Sequence, residues 1–322
     1  MMTAKSGNPA SEDNDLYEAA ETDGLDPGDI DDSAGQTSPD ADDVTLRPNT
    51  LIPEHGIFGF RNRNRVQTVV LIGEQKTGKT TLLAALYGLF CKGPVGGLEF
   101  VGSQTLCSFA ERNHLAMMRP DRTAPTTPRT SIADAVGYFH LKVRNGETVS
   151  DVIISDRSGE TFEAARVDTS LMDRLTELAL ADRVCFLLDA ARLTNIATRH
   201  GYRRIFKQTI RALVDNDVIP KTAVIEVLVT KIDRVSRERE GRDLSAEMAE
   251  YEAELIREFG DSGYTFNVHR ICALPRAAVK IGFLGMEELV GRWASTPADA
   301  DIAPRPVYDA LRYIDRSPNL WS

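Results

Sequence analysis

Short apolar runs alternate with longer stretches of helical periodicity from residue 66 onward. The runs at residues 66–72, 184–188 and 223–229 are almost continuously apolar, and Glu226 is the one charge in the third. Such runs are typical of strands that are buried on both faces of a parallel sheet. A weaker last strand is predicted at residues 268–272, and the predicted helical stretches are 81–87, 168–181, 192–215 and 242–259. This alternation predicts an α/β protein with a mostly parallel central sheet.

Two features interrupt this alternation. The dipeptide Asn145-Gly146 separates strand-like runs at residues 136–143 and 149–154. Because Asn-Gly suits a tight primed turn, we expect these two strands to form one antiparallel pair. Before this pair, residues 100–118 have helical apolar spacing, and residues 119–130 contain three prolines. Since proline interrupts regular hydrogen-bonded structure, we expect a loop at 119–130.

The charge is distributed unevenly along the chain. Residues 1–45 hold 13 acidic side chains and a single lysine, a net charge of −12, whereas residues 46–322 carry 35 acidic and 37 basic groups, a net charge of +2. The first segment has almost no aliphatic periodicity and cannot bury enough apolar surface to offset its ordering entropy. We therefore expect a disordered acidic tail at 1–45, which either solvates the protein or contacts a basic partner.

Composition limits the classes of function. No stretch approaches the roughly 18 uncharged apolar residues of a membrane-spanning helix, and the first residues lack the order of a secretory signal. The four cysteines form no CxxC pair, and the five histidines have no metal-ligand spacing. We expect a cytoplasmic protein with no membrane span, no disulfide framework and no zinc site.

Residues 73–80 read GEQKTGKT, a complete G-x-x-x-x-G-K-[ST] phosphate-binding loop between a predicted strand and a predicted helix. There, main-chain N–H groups can close around a polyphosphate, and the positive end of the helix dipole points at the same anion. We expect Lys79 to reach the β- and γ-phosphates and the Thr80 hydroxyl to ligate Mg²⁺. An ordinary glycine turn is the alternative. The predicted nucleotide-binding residues here are Gly73, Glu74, Gln75, Lys76, Thr77, Gly78, Lys79, Thr80 and Thr81.

Two further motifs follow predicted strands. Asp156 begins a DxxG motif, in which the carboxylate can hold the Mg²⁺ shell through water and the Gly159 N–H can bind the γ-phosphate. Thr230, Lys231 and Asp233 belong to a TKxD motif. A carboxylate at Asp233 can accept from both the ring N–H and the exocyclic amine of guanine, a donor pair that adenine lacks. The alternative is that Asp233 only caps a helix.

The ordered set GEQKTGKT, DRSG, TKID and Cys272-Ala273-Leu274 resembles the P-loop GTPases of the translation-factor-related (TRAFAC) class. More narrowly, EQKTGKTTLLAALY, FVGSQTLCSFAER and SDRSGE resemble the bacterial double-GTPase families. The resemblance implies a three-layer P-loop NTPase domain, or G domain, whose sheet contains one antiparallel strand pair. It also implies that Cys272, Ala273 and Leu274 contact guanine through main-chain N–H groups.

The resemblance implies further roles, and it covers residues 66–274 with an extended switch-one region. A switch-one threonine should bind Mg²⁺ and the γ-phosphate; Thr130 is the first candidate because it ends the loop ahead of the strand pair, and Thr127 is the second. Glu160 stands where many relatives place the glutamine that orients the attacking water. We therefore expect slow intrinsic hydrolysis. Arg129 either stabilises the transition state or is a solvated loop cation.

These features predict a GTP-binding switch that slowly hydrolyses GTP with Mg²⁺ and responds to the γ-phosphate through loops at 119–131 and 156–168. The predicted catalytic residues are Lys79, Thr130, Gly159 and Glu160, and the predicted metal-site residues are Thr80, Asp156 and Thr130. The alternatives are a non-catalytic nucleotide-dependent scaffold and a P-loop ATPase.

Partners and flanking segments complete the interpretation. The resemblance implies a protein partner such as a companion GTPase or an effector, in a bacterial conflict or defence system. No direct contact with nucleic acid is predicted. Residues 46–65 are expected to be a linker or arm, and residues 275–322 a helical extension that includes Trp293 and packs on or beside the G domain.

Overall fold

Eight strands form one sheet in the computed structural model, which describes residues 51–61, 66–117, 136–235, 243–275 and 283–295. The strands are β1 (Ile52–Pro53), β2 (Val66–Ile72), β3 (Glu99–Gly102), β4 (Gly137–Asn145), β5 (Thr148–Asp156), β6 (Arg183–Asp189), β7 (Val224–Thr230) and β8 (Thr265–Arg270). Their order is β1-β4-β5-β2-β6-β7-β8, and β3 also pairs with β4. Strands β5, β2, β6, β7 and β8 are parallel, whereas β4 is antiparallel to its neighbours.

Helices cover both faces of this sheet. They are α1 (Glu54–Arg61), α2 (Lys79–Phe90), α3 (Leu106–Met117), α4 (Gly159–Val167), α5 (Thr176–Ala179), α6 (Ala190–Leu193), α7 (Arg199–Asp215), α8 (Leu244–Phe259) and α9 (Met286–Ala294). Two short 3₁₀ helices, Thr169–Arg174 and Ile232–Arg234, follow α4 and β7. Among the described residues, no helix combines the length and the apolar character that crossing a membrane requires.

The two faces of the sheet have separate apolar cores. Alternate residues of β2 point to opposite sides, so Val70 and Ile72 join the core beneath α7 and α8, whereas Val69 and Leu71 join the core beneath α2 and α9. Each fully buried aliphatic side chain contributes roughly 1.5–3 kcal/mol relative to exposure. The resulting three-layer α/β architecture, mostly parallel with one antiparallel pair between β4 and β5, confirms the predicted fold class.

Local predictions differ from the structure in five places. The predicted helix at 100–118 begins only at Leu106, because residues 99–102 instead pair as β3 with the edge of β4. The predicted loop at 156–168 contains α4. The helical pattern at 168–181 divides into a 3₁₀ helix and α5, and the pattern at 192–215 divides into α6 and α7. Strand β8 lies at 265–270 rather than 268–272, since its backbone pairs in register with β7. For both β3 and β8, hydrogen bonding to a neighbouring strand outweighs the local pattern of apolar residues.

The flanking segments are described only in part. Within 46–65, β1 pairs with β4 and α1 follows it directly. Within 275–322, α9 places Trp293 in the core on the α2 side of the sheet, where this side chain has no exposed surface. The predicted acidic tail at 1–45 lies outside the described residues.

Candidate functional site

The phosphate-binding loop joins β2 to α2 at the carboxyl edge of the parallel sheet. Lys76 (φ 64°) and Gly78 (φ 111°) have positive φ values, which bend the backbone before α2 begins at Lys79. The Thr77 hydroxyl donates to the Glu74 carbonyl oxygen at 2.9 Å and closes the loop internally. The first turn of α2 therefore faces the loop with its unpaired N–H groups, an arrangement that favours an anion.

Lys79 lies within this loop. Its ammonium group donates to the carbonyl oxygens of Gly73 and Glu74, the latter at 3.3 Å. Burial lowers the pKa of Lys79 to about 8, while nearby carboxylates, that of Asp156 first, act in the opposite direction. A polyphosphate in the loop would favour the charged ammonium form more strongly than these carboxylates do, since it carries more negative charge.

Asp156 ends β5, and its side chain is almost fully buried. Arg112 of α3 donates to Asp156 Oδ2 at 3.1 Å. Thr80 lies in the first turn of α2, so a hydroxyl and a carboxylate are available as hard oxygen donors suited to Mg²⁺. Among the described residues, no group of three or more His, Cys, Asp or Glu side chains could hold a metal ion by itself. This donor set fits an ion that completes its coordination with water and phosphate oxygens.

A buried His–Asp pair positions the segment that carries Arg112. His140 accepts from the Gln104 N–H at Nδ1 (2.9 Å), so the opposite ring nitrogen, Nε2, donates to Asp151 Oδ1 at 2.9 Å. The Thr105 hydroxyl also accepts from the His140 N–H at 2.9 Å. These contacts hold the turn before α3 against β4, and α3 therefore reaches the end of β5.

Gly159 begins α4 directly against the phosphate-binding loop. A Cβ atom at this position would overlap the Gly73 carbonyl oxygen and would lie 3.1 Å from Lys79 Nζ. Only glycine allows this approach. The next residue, Glu160, accepts a hydrogen bond at Oε1 from Gln75 Nε2 of the loop. Thus the DxxG segment and the phosphate-binding loop are in contact.

Charged side chains surround this contact. Arg192 lies 2.6 Å from Glu74 Oε2 and packs over the Tyr202 ring at 4.2 Å. Burial raises the pKa of Glu163, and the negative charges of Glu74 and Glu160 act in the same direction. Several carboxylates and the Arg192 guanidinium therefore lie beside this contact.

The TKxD motif bonds to the phosphate-binding loop from the other side. The Thr230 hydroxyl donates to the Thr77 carbonyl oxygen at 2.8 Å. Lys231 has φ 58°, and its ammonium group donates to the Lys76 carbonyl oxygen and to Asp189 Oδ2, the latter at 2.5 Å. These contacts link the predicted base-recognition motif to the predicted phosphate site.

Asp233 and Cys272 are also in contact. Cys272 Sγ lies 3.5 Å from Asp233 Oδ1, and burial, together with this carboxylate, raises the pKa of the thiol to about 12. The thiol therefore stays protonated and can donate to Asp233. Leu274 and Thr81 line one shared cleft, which connects the 272–274 segment to the start of α2.

The structure thus brings together most of the predicted site residues at one edge of the sheet. Residues 73–81 contact Gly159 and Glu160 on one side and Thr230 and Lys231 on the other. Asp156 lies close enough to act electrostatically on Lys79, and Leu274 lines one cleft with Thr81. Thr127, Arg129 and Thr130 lie outside the described residues.

Sequence reasoning missed the roles of Arg112, Arg192 and Asp189 in this region. Arg112 is the last residue of the FVGSQTLCSFAER segment, which carried part of the family resemblance. That resemblance was the sequence signal that could have pointed to Arg112.

Solved structures similar to the chain include translation elongation factor SelB from Methanococcus maripaludis with the GTP analogue GppNHp (14% identity, 71% of this chain and 34% of that chain, TM-score 0.36), and the signal recognition particle receptor SRb-GTP/SRX complex from Chaetomium thermophilum (17% identity, 71% of this chain and 96% of that chain, TM-score 0.41). The chain thus spans about a third of that SelB chain. No curated protein matches it.

The family model "Double-GTPase 2" matches residues 67–294, which is more than half of the chain. This range includes every motif discussed above and extends through α9. The match confirms the resemblance inferred from the motifs: the chain belongs to the Double-GTPase 2 family.

Proposed function

We propose that this protein binds GTP and GDP with Mg²⁺, hydrolyses GTP slowly and acts as a nucleotide-dependent switch. Membership in a GTPase family supports guanine-nucleotide binding. The observation that carries the proposal is the pair of contacts from Thr230 and Lys231 to the backbone of the phosphate-binding loop. Through these contacts, a triphosphate in the loop and a purine at Asp233 belong to one continuous site.

In this proposal the main-chain N–H groups of residues 73–80 and the Lys79 ammonium hold the β- and γ-phosphates. Thr80 and Asp156 hold Mg²⁺ together with Thr130. An ion held there would supply positive charge to the phosphates. The Gly159 N–H binds the γ-phosphate, and its contact with Gly73 supports this role because it places the start of α4 at the loop.

Asp233 selects guanine, assisted by main-chain N–H groups of Ala273 and Leu274. The sequence resemblance also assigned this role to the Cys272 N–H, but in the structure that group donates to the Leu284 carbonyl oxygen at 2.9 Å. The Cys272 thiol orients the carboxylate by donating to Oδ1. The Asp233 carboxylate can still accept hydrogen bonds from the base, because a carboxylate has about four acceptor sites. A site built on this pattern discriminates strongly against adenine, whose edge does not present the matching donors.

Glu160 accepts a hydrogen bond from the attacking water, and turnover below about 1 s⁻¹ is expected without a partner. The switch then acts on a protein partner such as a companion GTPase or an effector. A cytoplasmic role in a bacterial conflict or defence system is part of the same proposal, and the sequence resemblance supports it.

A base-exchange experiment tests the proposal. Asp233→Asn replaces an acceptor by an amide that can donate, so it should weaken GDP binding by more than about 100-fold and should favour xanthosine diphosphate, whose C2 carbonyl can accept. Competition against a fluorescent guanine nucleotide measures both effects. Asp217→Asn, at an exposed position with φ 52°, is the matched control and should bind as the wild type does.

The same assay separates the alternatives. Equal competition by ATP and GTP in the wild type would support an ATPase, and no binding of any nucleotide would overturn the proposal. Tight GTP binding without phosphate release in single-turnover experiments would indicate a nucleotide-dependent scaffold.

A further inference from the structure

A side-chain amide of the phosphate-binding loop meets the residue after the DxxG motif. Gln75 Nε2 donates to Glu160 Oε1, although 85 positions separate the two residues. Gln75 is exposed and Glu160 is half-buried, so burial in a core does not account for their contact. They belong to different elements, the loop and the first turn of α4. Their contact therefore depends on how α4 docks on the loop.

Nearby carboxylates surround Glu160, so a hydrogen bond from an amide favours its charged form. Burial raises the pKa of Glu163, and the nearby carboxylates of Glu74 and Glu160 act in the same direction, so both lie near Glu163. Arg192 lies 2.6 Å from Glu74 Oε2 and offsets that charge. A donor at Glu160 Oε1 supports the carboxylate in this negative environment and restricts its orientation.

The position of Glu160 relative to the loop is set by the glycine before it. A Cβ atom at Gly159 would overlap the Gly73 carbonyl oxygen and would lie 3.1 Å from Lys79 Nζ, the group expected at the β- and γ-phosphates. Glu160 therefore lies at the γ-phosphate end of the proposed site. Since a carboxylate can accept at both oxygens, Glu160 can bond to Gln75 and to a water molecule together.

We propose that Gln75 is a positioning residue for hydrolysis that acts through Glu160. This inference rests on the proposed function. Gln75 holds the Glu160 carboxylate so that it accepts from the attacking water. The water oxygen forms a bond to the γ-phosphorus, and the bond from the γ-phosphorus to the bridging oxygen breaks. The electron pair of that bond stays on GDP, and the water proton ends on the released phosphate.

Single-turnover hydrolysis of GTP by the full-length protein tests this inference. Gln75→Ala should lower the rate of hydrolysis about tenfold, since it removes the amide that holds Glu160 but leaves the carboxylate that accepts from the water. Glu160→Ala removes that carboxylate and should lower the rate about 100-fold. GDP affinity should stay within about threefold of the wild type in both, because the pair acts on the water and not on bound GDP. Gln208→Ala, an exposed glutamine on α7, is the matched control and should be silent.

An exchanged pair provides the sharper measurement. Gln75→Glu places two carboxylates together and should slow hydrolysis, and Glu160→Gln removes the acceptor charge. The double variant Gln75→Glu/Glu160→Gln rebuilds an amide–carboxylate pair and should hydrolyse GTP faster than either single variant. A purely structural role for Gln75 would not produce this rescue.

Each result has a distinct meaning. A wild-type rate for Gln75→Ala, or a double variant that is no faster than the faster of the two single variants, overturns the role of Gln75. A wild-type protein that binds no guanine nucleotide, or binds GTP without hydrolysing it, refutes the proposed GTPase function itself. A tenfold slower Gln75→Ala with unchanged GDP affinity, together with rescue by exchange, supports the inference.

Discussion

Replacing Glu226 by alanine should destabilise the protein strongly. This carboxylate is fully buried on β7 and accepts from Arg292 Nε at 3.0 Å and from Trp293 Nε1 at 3.2 Å, both on α9. Arg183 Nη1 of β6 donates to it at 3.4 Å. Glu226 therefore joins two strands to the helix that follows the 272–274 segment.

The size of the effect follows from which partners lose their counter-ion. The Arg183 side chain is only 7% exposed, so alanine at 226 leaves a buried cation without its carboxylate, whereas Arg292 at 27% exposure can turn toward water. Breaking a buried ion pair from one side costs about 3–5 kcal/mol. For a domain of this size, each 1 kcal/mol lowers the melting temperature by about 2–4 °C. We expect Glu226→Ala to melt about 6–20 °C below the wild type.

Urea denaturation followed by circular dichroism measures the free energy of unfolding. Arg183→Met/Glu226→Met, which removes the charge of both strand residues, should recover much of the loss, because apolar replacements avoid the unpaired cation. Glu99→Ala removes one side of the exposed Arg144 pair and should cost less than about 1 kcal/mol. A loss below about 1 kcal/mol for Glu226→Ala would refute this account of the network.

Two other predictions concern pH and backbone contact. Burial lowers the pKa of His269, with Arg292 acting in the same direction and Glu226 opposing it. The unfolded state then binds the proton at higher pH than the folded state does, so the free energy of unfolding should decrease as the pH falls below about 6.5. His269→Gln should reduce this decrease in urea titrations at pH 8 and pH 5.5; an identical pH dependence would contradict the assignment. Gly159→Ala should cost about 1–3 kcal/mol and weaken GTP binding, because its Cβ would overlap the Gly73 carbonyl oxygen. Gly201→Ala on α7, where nothing lies within 4 Å of the added atom, should instead stabilise by about 0.5–1 kcal/mol, and equal effects at the two glycines would be incompatible with the close contact.

Much of the fold could be predicted because its strands carry strong local patterns. The run at 66–72 is β2, and the Asn145-Gly146 turn joins β4 to β5 as expected. The apolar spacing predicts a helix from residue 100, but residues 99–102 form β3. Their strand conformation depends on the edge of β4, where Phe100 pairs with Val143, and local periodicity contains no information about that distant strand.

The motifs of the candidate site can be recognised in the sequence alone, because a phosphate-binding loop, DxxG and TKxD each depend on a few consecutive residues and on the strand before them. Which side chains meet across these motifs depends instead on the tertiary fold. Gln75 reaches Glu160, Arg112 reaches Asp156 and Arg292 reaches Glu226 because helices α4, α3 and α9 dock at particular places on the sheet. The position of each helix on the sheet is set by the packing of its whole apolar face, to which a single residue contributes little. The partners of a charged side chain therefore cannot be predicted from the residues next to it in the sequence.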